Sequence, residues 1–354
     1  MKILFDICHP AHAHVFLHPI KILKAQGHTI VITSRFKDIA LELLDELELE
    51  HIPIAGQYRK GILALGLELL VRDFKLYRLV KKIKPDIMVG VGGIFVSQIS
   101  KLTGIPSLAF YDTENATLQN LLTYPFADIV IVPECYEAWL PLRRHIRYKG
   151  YHELSYLHPD QFTPDREIAI RNGLDPDNDN FFIRVVSWDA NHDVGEKGWT
   201  SVLLTQITDH LARLGKVHIS SERQLPETLQ DHCYKGNKSQ VHHVMAYCRL
   251  FIGESATMAS ESAVLGVPAI YAAETGRGYT TEQEKKYGLV TNITDIQWPS
   301  LKEAIDSIVS SPGETWNIAQ KKLLDETINV ASFISATITD HKTALLNYQN
   351  RKSD

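Results

Sequence analysis

The chain is poor in cysteine. Cys8, Cys135, Cys233 and Cys248 are scattered through 354 residues and no two form a CxxC pair. That excludes a disulfide scaffold and a thiolate-clustered zinc module, and it points to a reduced, cytoplasmic setting. No stretch reaches the roughly 18 consecutive apolar residues of a membrane-spanning helix. The N-terminus, MKILFDI, reads as a strand rather than as a charged-then-apolar leader. No GxGxxG follows that strand, which argues against a dinucleotide enzyme. Repeats and low-complexity tracts are missing too. Positive charge is not in surplus: the net charge is −5, with 18 Lys and Arg against 15 Asp and Glu in residues 1–150 and 19 against 27 in the remainder. An acidic second half argues against a nucleic-acid binder. The basic first half leaves room for an anionic acceptor or a membrane surface. Apolar residues make up 44% and charged residues 22%, the balance of a globular protein with ample core. The length suits two domains of roughly 100–200 residues each.

What the sequence does have is clearest from Tyr247 to Ala273. Leu250–Gly253 is a short apolar run closed by glycine, the pattern of a buried strand. The small residues Ser255, Ala256 and Thr257 follow, and Met258 to Leu265 places apolar residues at helical spacing. Gly266 and Pro268 stop that helix before a second strand, Ala269 to Tyr271. The turn therefore opens onto a helix N-terminus, where unpaired N–H groups and the dipole favour an anion, most often phosphate. Glu261 lies about one and a half turns further on, where a carboxylate suits the two hydroxyls of a ribose. An ordinary βαβ crossover with small residues for close packing accounts for the same strand and turn.

At these residues the chain resembles the nucleotide-sugar site of GT-B glycosyltransferases. The spacing Ser-x5-Glu-x4-Gly-x-Pro is similar to that of UDP-N-acetylglucosamine 2-epimerases, and the segment also resembles MurG-type transferases. The resemblance implies two Rossmann-like domains facing a cleft. It also implies diphosphate contacts from Gly253 and Ser255 to Met258 (including Ala256 and Thr257), and a uridine ribose on Glu261.

From the N-terminus, strands at Lys2 to Ile7, His28 to Thr33 and Ile52 to Ile54 alternate with helices at Val15 to Gln26 and Asp38 to Leu47. This alternation predicts a parallel sheet with its ligands beyond the carboxyl ends of the strands. The loop there, CHPAHAHVF, carries His9, His12 and His14, with His18 following. HxxHxH spacing suits a metal such as zinc, but no carboxylate completes a site, and the expectation is none. Histidines capping the helix are the plain alternative. The run HAHVFLHPIKILKAQGH is similar to the GGHVFPGLAVAHHL-type segment of MurG-like transferases. By that resemblance His14 stands where their histidine does, with His12 and Ala13 replacing two glycines, and His12 becomes a candidate substrate contact.

Gly61 to Lys84 turns from apolar to basic, with Leu65, Leu69, Arg72, Leu76, Leu79 and Ile83 at roughly helical spacing. A core-facing helix with cations at its C-terminal end explains this. So does a face that rests on anionic lipid, which would put the protein peripherally at the inner face of the membrane. After the strand at Asp86 to Val91 comes Gly92-Gly93, and after the strand at Pro106 to Phe110 come Asp112 and Glu114. Those acids sit where a catalytic carboxylate or a helix cap is expected. Epimerases carry an acid in a Gly-Asp-Thr turn at the first of these places; here Gly93 occupies it.

Gly150 to Pro164, GYHELSYLHPDQFTP, lacks periodicity and reads as a linker. The expected division is an acceptor domain over 1–150, a nucleotide-sugar domain over 151–330, and a C-terminal helix over 331–354 that crosses back to the first domain. The second half restarts the alternation. His192, in the polar loop SWDANHDVGEKG, is a candidate for the donor phosphates. Arg223 is another, though a plain surface arginine fits equally. Arg277 lies in the glycine-punctuated loop after Tyr271, and Gln283 resembles the glutamine that contacts the donor sugar in MurG.

Nearly end to end, the chain also resembles an uncharacterised, domain-of-unknown-function family of GT-B-like proteins. That likeness runs through Asp6, the histidine-rich loop, Asp112-Thr113, GYHELSYLHP and the region of Ser255. The function expected from these resemblances is a metal-independent glycosyltransferase without a cofactor. It would move a sugar from a UDP-sugar to a hydroxyl of a glycan or lipid-linked acceptor, in glycan or cell-surface polysaccharide synthesis. His14, Asp112 or Glu114 would serve as base. A 2-epimerase-like isomerase and a non-catalytic nucleotide-sugar binder are the alternatives.

Overall fold

The computed structural model describes residues 1–35, 44–45, 48–54, 62–186 and 198–351, with the backbone alone for 62–68. The helix expected over 38–47 therefore falls, apart from residues 44–45, outside the described residues. Contacts divide the chain into two compact units, residues 1–156 with 328–354 and residues 157–327.

The first unit is built on seven parallel strands: β1 (Lys2–Ile7), β2 (Thr29–Arg35), β3 (Ile52–Ile54), β4 (Ile87–Val91), β5 (Ser107–Phe110), β6 (Ile129–Pro133) and β7 (His145–Tyr148). The spatial order is β3-β2-β1-β4-β5-β6-β7. Ile3, Leu4, Phe5 and Ile7 are all buried, the near-continuous apolar run that a strand covered on both faces requires. The chain progresses in one direction from β1 to β3 and in the other from β4 to β7, so the order reverses between β1 and β4. The loops at that reversal form the crevice in which such sheets bind ligands. Register sets Asp6, near the end of β1, beside Thr33 on one side and Gly90 on the other.

Helix Pro10–Ala25 starts at an N-cap, His9, with Pro10 in its first turn, and Gly27 at φ 82° follows its end. Helix Ile94–Thr103 starts from Gly92 and Gly93, at φ 73° and 59°. A side chain at Gly93 would bring Cβ to 2.8 Å from Ala109 Cβ. On helix Ile62–Ile83 the expected apolar face does include Arg72. Its guanidinium is buried, pairs with Asp6 at 2.8 Å and lies 4.2 Å over the Phe95 ring. Leu70 and Phe74, by contrast, are 65% and 61% exposed. Residues 151–157, which read as a linker, are all buried. A 3-10 turn over His152–Ser155 is tied to helix Pro10–Ala25 by the Ser155 hydroxyl, which donates to Val15 O at 2.6 Å.

The terminal helices Val330–Thr339 and His341–Arg351 also belong to this unit, and Ser335 Oγ reaches Pro19 O at 3.5 Å. A single helix was expected over 331–354. Asp340 interrupts it by leaving helical geometry and capping the Thr343 N–H at 3.2 Å.

The second unit has five parallel strands: β8 (Asp179–Val185), β9 (Gly215–Ser221), β10 (Leu250–Gly253), β11 (Ala269–Ala272) and β12 (Val290–Ile293). Their order is β12-β11-β10-β8-β9, with the reversal between β8 and β10. Phe181, Ile183, Ile252 and Ile270 from the strands pack with Leu204, Ile207, Leu211, Leu301 and Ile305 from helices Ser201–Ala212 and Trp298–Ser310. Helix Gly313–Glu326 gave no apolar stripe to read, because Leu323 is its one buried residue. Among the described residues no helix is long and apolar enough to cross a membrane.

Candidate functional site

In the second unit the reversal is dressed for holding backbone in place. At Gly253, the last residue of β10, a Cβ would stand 2.6 Å from the Arg184 carbonyl oxygen, so only glycine passes. Glu254 follows and is buried. One of its carboxylate oxygens accepts from the Trp199 N–H at 2.6 Å and the other from the Val186 N–H at 3.1 Å. Arg223 lies 3.7 Å from the same group and donates to Trp199 O at 2.6 Å. Val186 and Trp199 bracket the polar stretch after β8, so Glu254 ties both of its ends to the tip of β10. His192, within that stretch, lies outside the described residues.

Ser255 then caps helix Ala256–Val264, its hydroxyl accepting from the Met258 N–H at 3.3 Å. Ser255, Thr257 and Met258 are partly exposed while Ala256, Ala259 and Ser260 are buried. The first turn thus keeps an open edge at the carboxyl end of the sheet, with unpaired N–H groups and the positive dipole end. Gly253, Ser255, Ala256, Thr257 and Met258 come together there.

The other predicted donor contacts are differently placed. Glu261 is on the buried face of the helix, 6% exposed, with an oxygen 3.0 Å from His242 Nε2. Gln283 is fully buried and donates to Ser260 Oγ at 2.8 Å. Arg277, in the loop after β11, donates locally to Thr275 Oγ1 at 2.9 Å and Gly276 O at 3.0 Å.

The first unit gathers titratable groups instead. Asp112 follows β5. One of its oxygens accepts from Thr113 Oγ1 at 2.8 Å and the other lies 3.0 Å from His152 Nδ1. Burial opposes its charge, but the facing His152, the Thr113 hydroxyl and His12 together hold the carboxyl down at about 2. His152 is 5% exposed, and its buried Nε2 has no hydrogen-bond partner among the described residues. Burial pushes its pKa down, yet the charge and hydrogen bond of Asp112, with Glu153 beside it, raise it overall. His12 behaves oppositely. Burial is the main cause of a pKa well below the usual histidine value, and the neighbouring His9, His152 and Arg72 add to it while Asp112 resists. The buried Nδ1 of His12 also has no hydrogen-bond partner among the described residues.

Of the predicted acid–base residues, Asp112 pairs with His152. His14 packs on Tyr156, ring centroids 5.2 Å apart. Glu114 lies in electrostatic reach of the buried hydroxyls of Tyr124 and Tyr136. His9 caps its helix by accepting the Ala11 N–H at 3.2 Å. Among the described residues no three His, Cys, Asp or Glu side chains gather as metal ligands. Sequence reasoning missed His152 and Glu254. His152 sits in the aperiodic segment taken for a linker, and Glu254 was one letter of the turn between Gly253 and Ser255.

The family described as "Protein of unknown function (DUF354)" matches residues 1–283, and the chain belongs to it. An uncharacterized protein of Methanocaldococcus jannaschii is 22% identical over 280 residues, covering 76% of this chain and 81% of that protein. Among solved structures, UDP-GlcNAc 2-epimerase from Neisseria meningitidis bound to UDP-GlcNAc aligns with TM-score 0.67 and 13% identity, over 96% of this chain and 100% of that one. MurG of Acinetobacter baumannii aligns with TM-score 0.61 and 15% identity, over 96% and 99%. MnaA of S. aureus, solved with UDP, aligns with TM-score 0.66 and 10% identity, over 98% and 97%. The architecture is therefore α/β and GT-B-like, with one Rossmann-like sheet in each unit.

Proposed function

For a member of this family on a GT-B-like scaffold, we propose glycosyl transfer from a UDP-sugar to a hydroxyl acceptor, without a metal or cofactor. The observation that carries this reading is the open, Ser255-capped helix N-terminus at the sheet reversal of the second unit. There the N–H groups of residues 256 and 257 and the helix dipole meet the donor diphosphate, with Ser255, Met258, Arg277 and His192 lining the turn. Glu261 is the ribose ligand in this reading and Gln283 the sugar contact. The acceptor oxygen attacks the anomeric carbon, the bond to the diphosphate breaks, and UDP leaves. The acceptor proton passes to a base of the first unit: His14 on helix Pro10–Ala25, or Asp112 or Glu114 in the loop after β5.

The proposal extends to a glycan or lipid-linked acceptor in cell-surface polysaccharide synthesis, and to peripheral contact with the inner membrane face. Exposed Leu70 and Phe74 on a helix that also carries Lys75 and Arg78 support the latter. Likeness to epimerases of known structure favours a second reading, isomerisation at the sugar C2. Against it, Gly93 occupies the place of an epimerase acid, and Ala109 leaves no room there for a carboxylate side chain. A nucleotide-sugar binder without catalysis is the third reading.

One experiment separates the three. The protein is incubated in heavy water with a panel of UDP-sugars, with and without cell extract, in the presence of EDTA. Transfer predicts UDP release that survives chelation, with no deuterium at C2 of recovered donor. Deuterium at C2 replaces transfer with isomerisation. UDP binding without turnover on any donor leaves the binder.

A further inference from the structure

We propose that Arg72, with the N-terminus of helix Ile94–Thr103, forms a subsite in the first unit for a singly charged oxyanion, a carboxylate, carried by the acceptor. Assigning the carboxylate to the acceptor rests on the transferase reading; the existence of the subsite does not.

The subsite lies at the reversal between β1 and β4. Asp6 stands near the end of β1, in register with Gly90 of β4. A Cβ at Gly90 would lie 3.6 Å from Asp6 O and 3.4 Å from Gly93 Cα, so the Gly92-Gly93 turn folds back close to Asp6. Helix Ile94–Thr103 leaves from that turn, and its N-cap, Gly93, brings no side-chain oxygen to the first N–H groups. Ile94 and Phe95 in the first turn are partly exposed, as is Cys8 after β1, while Val96 and Ser97 are buried. The turn thus joins an open rim to the positive end of a helix dipole.

Arg72 comes to the same place from another element. Leu76 and Val80, further along helix Ile62–Ile83, pack with Val96 and Ile99 and hold the two helices together. The Arg72 guanidinium, its side chain 1% exposed, then sits 4.2 Å over the Phe95 ring. Its Nη2 donates to Asp6 Oδ1 at 2.8 Å. Asp6 is otherwise filled: Thr33 donates to the same oxygen at 2.7 Å, and the Cys8 thiol donates to Oδ2 at 3.3 Å. Nε and Nη1 of Arg72 are buried and have no hydrogen-bond partner among the described residues. The ion pair with Asp6 therefore accounts for one guanidinium nitrogen out of three. A guanidinium has no acceptor of its own and does not shed its charge, so the two open donors call for an oxyanion.

Charge selects the kind of anion. Arg72 and Asp6 cancel, which leaves about half a positive charge from the helix end. Asp73, next along the chain and with a buried oxygen of its own, places a second carboxyl in reach of Arg72 and Asp6. A doubly charged phosphate would be repelled by these acids at close range. A single carboxylate is matched by the open guanidinium nitrogens and the free N–H groups of the helix.

Titration of the full-length protein with sodium glucuronate, glucose 6-phosphate and glucose tests the subsite. It is run at about pH 7.5, where a phosphate monoester carries close to two charges. The readout is the Arg72 Nε–H resonance, which burial protects from exchange. Glucuronate should shift that resonance to saturation, glucose should leave it in place, and glucose 6-phosphate should bind several-fold more weakly than glucuronate. Arg72→Lys keeps a cation beside Asp6 but lacks the two open donors. It should lower glucuronate affinity about 10–100-fold, the worth of a charge-assisted hydrogen bond. In the transfer assay, acceptors ending in a hexuronate should show a KM about 10-fold below that of their neutral counterparts. Arg72→Lys should erase that difference while UDP affinity stays within a few-fold. A resonance that glucuronate does not move, or moves no more than glucose does, overturns the subsite, and this reading needs no variant to fold. Tighter binding of glucose 6-phosphate than of glucuronate overturns the carboxylate assignment. A parent protein that releases UDP from no donor ends the transferase reading, and the titration alone then decides the subsite.

Discussion

The two sheet reversals have the same topology and opposite dress. In the second unit the acid at the strand end, Glu254, is spent on backbone: both oxygens accept N–H groups. In the first unit the acid after β5 is spent on a histidine, whose other ring nitrogen is buried with no hydrogen-bond partner among the described residues. One reversal presents a capped helix N-terminus and its dipole; near the other, a carboxylate is paired with a histidine. GT-B-like scaffolds present two such edges, and the residues at each edge decide which task it can perform.

The comparison breaks most visibly at Glu254. Replacing it by alanine strands two buried N–H groups and removes the tie between Val186, Trp199 and β10. We expect Glu254→Ala to cost about 3 kcal/mol, from about 1–3 kcal/mol per unsatisfied buried group. Urea unfolding would show this as a lowered midpoint for the second unit, with UDP binding weakened as well. A variant with unchanged stability would mean that the carboxylate faces a ligand and is not a brace.

At Asp112 a smaller loss is expected, and its pH dependence gives the role away. The folded carboxyl is depressed to about 2 from 3.8, so its contribution is present above the ordinary value and lost as pH falls through about 2. His152 is shifted the other way, so its contribution is full below about 6.5 and fades as pH rises through its raised value. The advantage of the parent over Asp112→Asn should therefore be widest, about 2 kcal/mol, between roughly pH 4 and 6.5. Thermal unfolding across that range checks it. A difference independent of pH would dissolve the Asp112–His152 pair as an ionic unit.

These two residues also mark what the sequence could and could not convey. The strands were legible because buried parallel strands are continuous apolar runs, and the strand–turn–helix around Ser255 was legible because Gly253, Ser255 and the helix after them are contiguous. Asp112 was legible by its position after a strand. Its partner was not, because His152 is far along the chain in a stretch without periodicity, where only tertiary packing of Tyr151 to Leu157 creates order. Glu254 was visible but mute, since the N–H groups it serves lie far away in sequence. Arg72 was counted on an apolar helical face, and its burial follows from an ion pair with Asp6 that spacing cannot foresee.

The smallest expected change in stability is at Ser255, and it isolates the anion site from the helix that forms it. Ser255→Ala removes the cap on the Met258 N–H and should cost about 1 kcal/mol. Ser255→Asp should cost nearly nothing. Aspartate caps as well as serine, and its charge suits the positive end of the helix dipole. The same charge, however, would occupy the open turn where a diphosphate is proposed to sit, and like charges at close range repel. The aspartate variant should therefore fold as stably as the parent, yet lose UDP affinity more severely than the alanine variant, and lose it less at high salt because the repulsion is screened. Calorimetric titration of both variants with UDP at two salt concentrations makes the distinction. If Ser255→Asp binds UDP as the parent does, the turn after β10 is a helix cap and nothing more, and the two reversals differ less than their side chains suggest.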